Sequence, residues 1–125
     1  MTTWTGEELT RIGKADELRI ASLRGDGTLR NPVTIWVVRL GDDLYVRAVN
    51  GRTGLWFRLA QERHEGHIQA GGVNRDVTFV EVDADPALDD QIDAAYRSKY
   101  GYSPSGVSHI MSAAARAATI KLLPR

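Results

Sequence analysis

The segment from Val33 to Leu40 constrains the fold more than any other part of the chain. It reads Val33-Thr34-Ile35-Trp36-Val37-Val38-Arg39-Leu40, with Val33, Ile35 and Val37 on one alternating face and Thr34, Trp36, Val38 and Leu40 on the other. A half-exposed strand shows one apolar face; two largely apolar faces predict a strand covered on both sides. In a chain of 125 residues, with enough material for one core and not two, the second cover is a partner subunit or a ligand.

The residues around this strand extend the pattern. Gly41-Asp42-Asp43 predicts a hairpin turn into a further strand over Leu44 to Val49. A basic, glycine-bearing loop follows, Asn50-Gly51-Arg52-Thr53-Gly54, and a helix is expected from Thr53 to about Arg63. Its core face is predicted at Leu55, Leu59 and Trp56, with Arg58, Gln61 and Glu62 outward. Strands are also predicted over Leu18 to Leu23, His67 to Ala70, Val73 to Asp83 and Thr119 to Leu123, with Gly71-Gly72 as a two-residue turn. Thr5-Gly6-Glu7-Glu8 has the form of a capping box and starts a helix to Lys14. Asp85-Pro86 places an N-cap before a proline at the first helical position, and that helix ends at Gly101. Tyr102 to Gly106 reads as a loop and His109 to Arg116 as a further helix.

Six strands in mainly antiparallel order predict a mainly β fold with peripheral helices, a small closed or partly closed barrel, because closure removes sheet edges. The expected organisation is one domain over residues 1–125. It has an N-terminal helical segment at 1–16 and a peripheral helix at 86–101.

Composition narrows the function classes. Sixteen basic residues balance 16 acidic ones, so the chain has no large field to attract nucleic acid. Cysteine is absent, which excludes disulfides, thiolate catalysis and thiolate-bound metals. No apolar run reaches the length of a membrane span, and the first residues lack the basic and apolar regions of a secretory leader. A cytoplasmic protein without a membrane partner is expected.

The richest chemistry lies in the loop and its flanks. Arg47, Asn50, Arg52 and Thr53 bring guanidinium groups, an amide, a hydroxyl and a helix start to one neighbourhood, a combination suited to an anion. The same residues also suit a solvated turn with an ordinary N-cap. Trp36 and Trp56 flank the loop and suit either a flat heteroaromatic ligand or the core; Trp4 is expected to pack the N-terminal segment onto the body. His64 and His67 lie among Glu62 and Glu65, but the segment straddles a helix end and a strand start, so no metal site is expected. His109 and Tyr102 are the candidates for proton delivery. The acidic pairs Glu7-Glu8, Asp42-Asp43 and Asp89-Asp90 read as helix starts or turns, not as acid/base pairs. No nucleophile elbow, phosphate-binding loop or dinucleotide fingerprint occurs.

Taken together, Pro32 to Val38, the Gly41 to Val46 hairpin and the run Arg47…Asn50-Gly51-Arg52-Thr53…Trp56-Phe57-Arg58 resemble the FMN-binding split β-barrel superfamily. This superfamily includes pyridoxamine 5'-phosphate oxidase-like proteins and deazaflavin-dependent reductases. Gly66-His67-Ile68, Ala70-Gly71-Gly72-Val73, Arg75 to Phe79 and Tyr96…Lys99-Tyr100 make the likeness closer to a small, functionally uncharacterised family within it. The resemblance runs from Leu18 to Leu122. It implies a six-stranded antiparallel split β-barrel that pairs as a homodimer and binds FMN or a deazaflavin coenzyme in clefts between subunits. It further implies an oxidoreductase acting on a small molecule. Phosphate contacts would fall to Arg47, Asn50, Arg52 and Thr53, and the ring to Thr34 and Trp36, with Trp56 beside it. The chain departs from the better-known members in offering Arg58 where they carry a helix lysine. Some proteins of this fold bind haem or no cofactor at all, so the alternatives are no cofactor, a non-catalytic homodimer that binds a cofactor or small ligand, and a haem or metal protein using His64 or His67.

Overall fold

In the computed structural model, residues 3–125 are described; Met1 and Thr2, at the head of the expected 1–16 segment, lie outside the described residues. The strands are β1 (Leu18–Ser22), β2 (Val33–Ile35), β3 (Val37–Leu40), β4 (Asp43–Arg47), β5 (Glu65–Ala70), β6 (Val73–Glu81) and β7 (Thr119–Pro124). The helices are α1 (Gly6–Lys14), α2 (Leu55–Arg63), α3 (Pro86–Tyr100), α4 (Pro104–Ile110) and α5 (Ala113–Arg116), with a 3-10 turn over Gly51–Thr53.

The sheet is antiparallel throughout and runs β2-β1-β5-β6-β7-β4-β3. Its two edge strands are consecutive in the chain, separated only by Trp36. One continuous segment therefore pairs with β1 at one edge, Ile35 opposite Leu18, and with β4 at the other, Val37 opposite Val46. This bend nearly closes the barrel, and it accounts for seven strands where six were expected: the second predicted strand is two. The break has a physical cause on α3. The Val37 N–H donates to the Tyr100 hydroxyl at 3.3 Å, and the Val37 carbonyl accepts from Lys99 Nζ at 2.7 Å. Side chains from a helix thus engage backbone groups at the point where the segment turns.

The expected double cover of this segment holds for half of it. Val37 is buried in the barrel core with Leu18, Phe57, Val77 and Leu122. Val38 is buried on the opposite face beneath α3 and α4, with Ile92, Tyr96, Tyr100 and Ile110. The cover is the chain's own helices. On the β2 half, by contrast, Val33 and Thr34 are exposed.

Local signals fixed several elements. Thr5 caps α1, its hydroxyl accepting from the Glu8 N–H at 3.1 Å while the Glu8 carboxylate accepts from the Thr5 N–H at 2.9 Å. Asp85 caps α3 by accepting from the Leu88 N–H at 3.2 Å. Trp4 is buried, and its indole N–H donates to the Leu122 carbonyl at 3.0 Å, tying the N-terminal segment to the barrel.

Other expectations are corrected. The helix expected from Thr53 begins at Leu55; its N-cap is Gly54, and Thr53 belongs to the 3-10 turn. Its buried residues are Phe57 and Ala60, and Leu55 is 66% exposed. The 3-10 turn rotates the helix face relative to the count from Thr53. The expected helix from His109 is two short ones, α4 beginning already at Pro104 and α5 capped by the Ser112 hydroxyl, which accepts from the Ala115 N–H at 3.2 Å.

Candidate functional site

Closing the barrel through the Trp36 bend brings β2, the end of β4, the start of α2 and one side of α4 around a single cleft of about 360 Å³. Of the residues expected from the sequence, it gathers Thr34, Trp36, Arg47, Asn50, Trp56 and His109. Arg52, Thr53 and Tyr102 do not line it.

Trp36 forms a wall of the cleft. The Tyr100 ring stacks on it with centroids 4.1 Å apart and planes within 8°. Gly106 of α4 abuts its edge so closely that a Cβ there would lie 2.6 Å from Trp36 Cη2. Trp56, in the first turn of α2, is half-buried. Thr34, Asn50 and His109 are exposed and supply a hydroxyl, an amide and an imidazole; Val33, Val49 and Leu55 form an exposed apolar rim.

The two arginines expected to bind an anion are placed differently. Arg47 is among the most deeply buried side chains of the protein. Its Nε donates to Thr119 Oγ1 at 3.1 Å. Its Nη1 donates to the Asp93 carboxylate and to the Ile110 carbonyl at 3.1 Å, and its Nη2 to the Asp89 carbonyl at 3.3 Å and Asp89 Oδ1 at 3.4 Å. Five hydrogen bonds match its five N–H groups. The guanidinium also lies over the Tyr96 ring, 5.6 Å from its centroid. Arg47 is therefore a buried post that joins β4 to β7, α3 and α4 beneath the cleft floor. Arg52 points to the other side of the loop, where it donates to Glu81 Oε1 at 2.9 Å and to the Ala117 carbonyl at 3.2 Å, in a separate groove.

Glu81 holds that side of the loop together. Its carboxylate accepts from Arg52 and from Gln61 Nε2 at 3.1 Å and lies 2.9 Å from His64 Nε2. The His64 contact, then those of Arg52 and Gln61, hold the Glu81 carboxyl below its ordinary range against the opposing effect of burial. His67 pairs separately with Asp76, Nδ1 to Oδ1 at 2.9 Å. Among the described residues, no three His, Asp or Glu side chains converge as a metal site. Tyr102, expected as a proton donor, is 69% exposed and packs against Tyr100 at 6.1 Å. Burial pushes the Tyr96 and Tyr100 phenols up, and it pushes the Lys99 ammonium down to about 8.

Sequence reasoning did not find Gly106, Ile110, Val33 or Val49 as cleft residues. Gly106 lay in what read as a loop, and its contact with Trp36 carries no local signal. One usable signal was overlooked: Asp89 and Asp93 are four apart on α3, on one helix face, and both meet Arg47.

The chain belongs to the family described as "uncharacterized protein conserved in bacteria" (DUF2255), whose model matches residues 8–122. No curated protein matches it in sequence. Among solved structures, the chain is similar to an F420 reductase at 13% identity, covering 93% of this chain and 90% of the other with a TM-score of 0.55. It is similar to an FAD-binding protein from Mesorhizobium loti at 14% identity, covering 98% and 89% with a TM-score of 0.57. It is also similar to an FAD and heme binding protein from Mycobacterium smegmatis at 18% identity, covering 98% and 66% with a TM-score of 0.54. At such identities the likeness shows the fold, a split barrel. Among the described residues, no helix is long and apolar enough to cross a membrane.

Proposed function

We propose that the cleft holds a flat, flavin-type redox cofactor, FMN or a deazaflavin, and that the protein is an oxidoreductase acting on a small molecule. The observation that carries this reading is the gathering of Trp36, Trp56, Thr34, Asn50 and His109 in one apolar cleft. Two indoles suit a planar ring, and the hydroxyl, amide and imidazole suit the polar edge of a heterocycle. The structural neighbours include proteins described as an F420 reductase and as FAD-binding, on the same fold.

Such a ring supplies hydride chemistry when bound. The chain's part is to orient the ring against the indoles, exclude water with Val33, Val49 and Leu55, and hold a proton at His109. Arg47 acts beneath the floor, keeping α4 and its His109 in place through the Ile110 carbonyl. The exposed apolar rim suits a second copy of the chain, and a homodimer is part of the proposal. Its test is light scattering with Leu55→Asp, which should convert a dimer to a monomer.

An absorbance scan of the purified protein, followed by titration with FMN and with a deazaflavin, tests the cofactor. A flavin spectrum, or binding that Trp36→Ala and Trp56→Ala each weaken at least about fivefold, the lower worth of a ring stacked on an aromatic face, supports it. No binding of either ring overturns it. A second reading, a non-catalytic binder, draws on one observation: among the described residues, His109 is the one titratable side chain of the cleft with free polar atoms, because Arg47 is fully engaged. A loaded protein with no reductase turnover would favour that reading.

A further inference from the structure

We infer that the cleft grips its ligand by the ring and not by an anionic tail, so that a phosphate-free flavin-type ligand is bound about as well as its phosphorylated form. This rests on the reading of the cleft given above. It departs from the expectation that Arg47, Arg52 and Thr53 bind a phosphate.

The argument is a census of positive charge around the cleft. Arg47 lines the floor, but its side chain has no exposed surface, and all its donors are engaged by Thr119, Ile110, Asp89 and Asp93. Freeing it for a phosphate would strip Asp89 of its cation and leave Asp93 with Arg116 alone, at 3.2 Å, which the interior resists. Arg52 faces another groove and is held by Glu81 and Ala117. Arg58 is exposed on α2 and does not line the cleft. Arg30 does not line the cleft: it lines a small neighbouring cavity of about 40 Å³ that shares Val33 and Trp56 with it, where its Nη2 is paired with the Glu62 carboxylate and its buried Nη1 has no partner among the described residues. Among the described residues of one chain, no free cationic side chain remains in the lining of the cleft.

What the cleft does offer an anion is the start of α2, where Gly54 is the N-cap and makes no side-chain hydrogen bond. An exposed helix start contributes about two- to fivefold in affinity toward a negative charge. A charge-assisted contact from a free arginine contributes about ten- to a hundredfold. An aromatic face stacked on a ring contributes on the order of five- to a hundredfold, and the cleft has two indoles. Ring contacts therefore outweigh tail contacts.

The test compares two ligand pairs on the intact wild-type protein by calorimetric titration: riboflavin against FMN, and a phosphate-free ribityl deazaflavin against its phosphorylated coenzyme, each at low and high salt. The expected result is dissociation constants within about fivefold in whichever pair binds, with little dependence on salt. A preference of about tenfold or more for the phosphorylated form, shrinking as salt is raised, would show an arginine-grade anion contact. That outcome overturns this inference and leaves the cofactor reading standing. Binding of none of the four ligands overturns both.

Discussion

The Trp36 indole lies flat on the Tyr100 ring, 4.1 Å between centroids and 8° between planes. Trp36 is the single residue at which the sheet's edge segment breaks, and Tyr100 is the last residue of the helix that engages the break. The cleft wall and the barrel closure are thus one feature. The Tyr100 hydroxyl donates to the Asp16 carbonyl at 2.8 Å while accepting from the Val37 N–H. Tyr100→Phe keeps the stack and removes both bonds, leaving a buried N–H without its partner. It should cost about 1–3 kcal/mol in denaturant unfolding; an unchanged midpoint would show that the hydroxyl does not brace the bend.

Arg47 at the end of β4 and Arg52 in the turn after it should separate sharply in stability. Arg47→Met leaves Asp89 without its cation and Asp93 with Arg116 alone; breaking a buried pair from one side costs about 3–5 kcal/mol, and the remaining Arg116 contact puts the loss at the lower end. Arg52 is half-exposed, so Arg52→Ala should cost less than about 1 kcal/mol. Equal losses in urea titration would contradict the placement of Arg47 as an internal post.

Alkaline pH should first stabilise the fold and then weaken it. Burial depresses the Lys99 ammonium from its ordinary 10.5 to about 8. Between those values the unfolded chain binds the extra proton, so stability rises with pH across that window. The Tyr96 and Tyr100 phenols have the opposite sign: their folded values are raised above the ordinary 10, so stability falls as pH climbs past 10. Melting temperature should rise from pH 8 toward 10 and decline beyond it, and Lys99→Met should flatten the rising limb. A rise of the same slope in Lys99→Met would remove Lys99 as its source.

On the acid side, the Glu81 carboxyl is held below its ordinary 4.5 by His64, Arg52 and Gln61. A depressed carboxylate contributes stability above its unfolded value, and that contribution is lost as pH falls below about 4.5. Glu81→Gln should therefore lower stability at neutral pH and shallow the acid limb of the melting profile. An acid limb identical to wild type would show that Glu81 does not anchor the loop.

Much of the barrel was legible because its signals are local. The Thr5 capping box, the Asp85-Pro86 helix start and the Gly71-Gly72 turn each depend on residues a few positions apart. What the sequence hid was decided across long separations. The break at Trp36 depends on Tyr100 and Lys99, more than sixty positions away, and nothing within Val33 to Leu40 marks it. Arg47 read as a ligand for an anion because it stands just before a polar loop. Its face of β4 is in fact covered by the Asp89 and Asp93 face of α3. The cleft itself was half-legible: Thr34, Trp36, Asn50, Trp56 and His109 meet there, but the arginine that gave the anion argument its force is buried beneath the floor.

Gly106 offers the most direct probe of that cleft. A Cβ at this position would stand 2.6 Å from Trp36 Cη2, 2.9 Å from Ser103 Oγ and 3.3 Å from Trp36 Cζ2. The serine hydroxyl can rotate aside, but the indole is a rigid plane pinned on its face by Tyr100. Relief requires α4 to move outward or Trp36 to slide along the stack. Overpacking of this kind costs about 1–3 kcal/mol, well short of unfolding a stable domain. Gly106→Ala should therefore remain folded, with a lowered melting temperature and a changed tryptophan emission, while Trp36→Phe/Gly106→Ala should recover most of the lost stability because the smaller ring vacates the clash. A single variant as stable as wild type, or a double variant no better than the single, would mean that α4 does not press on Trp36 and that the cleft is wider than described.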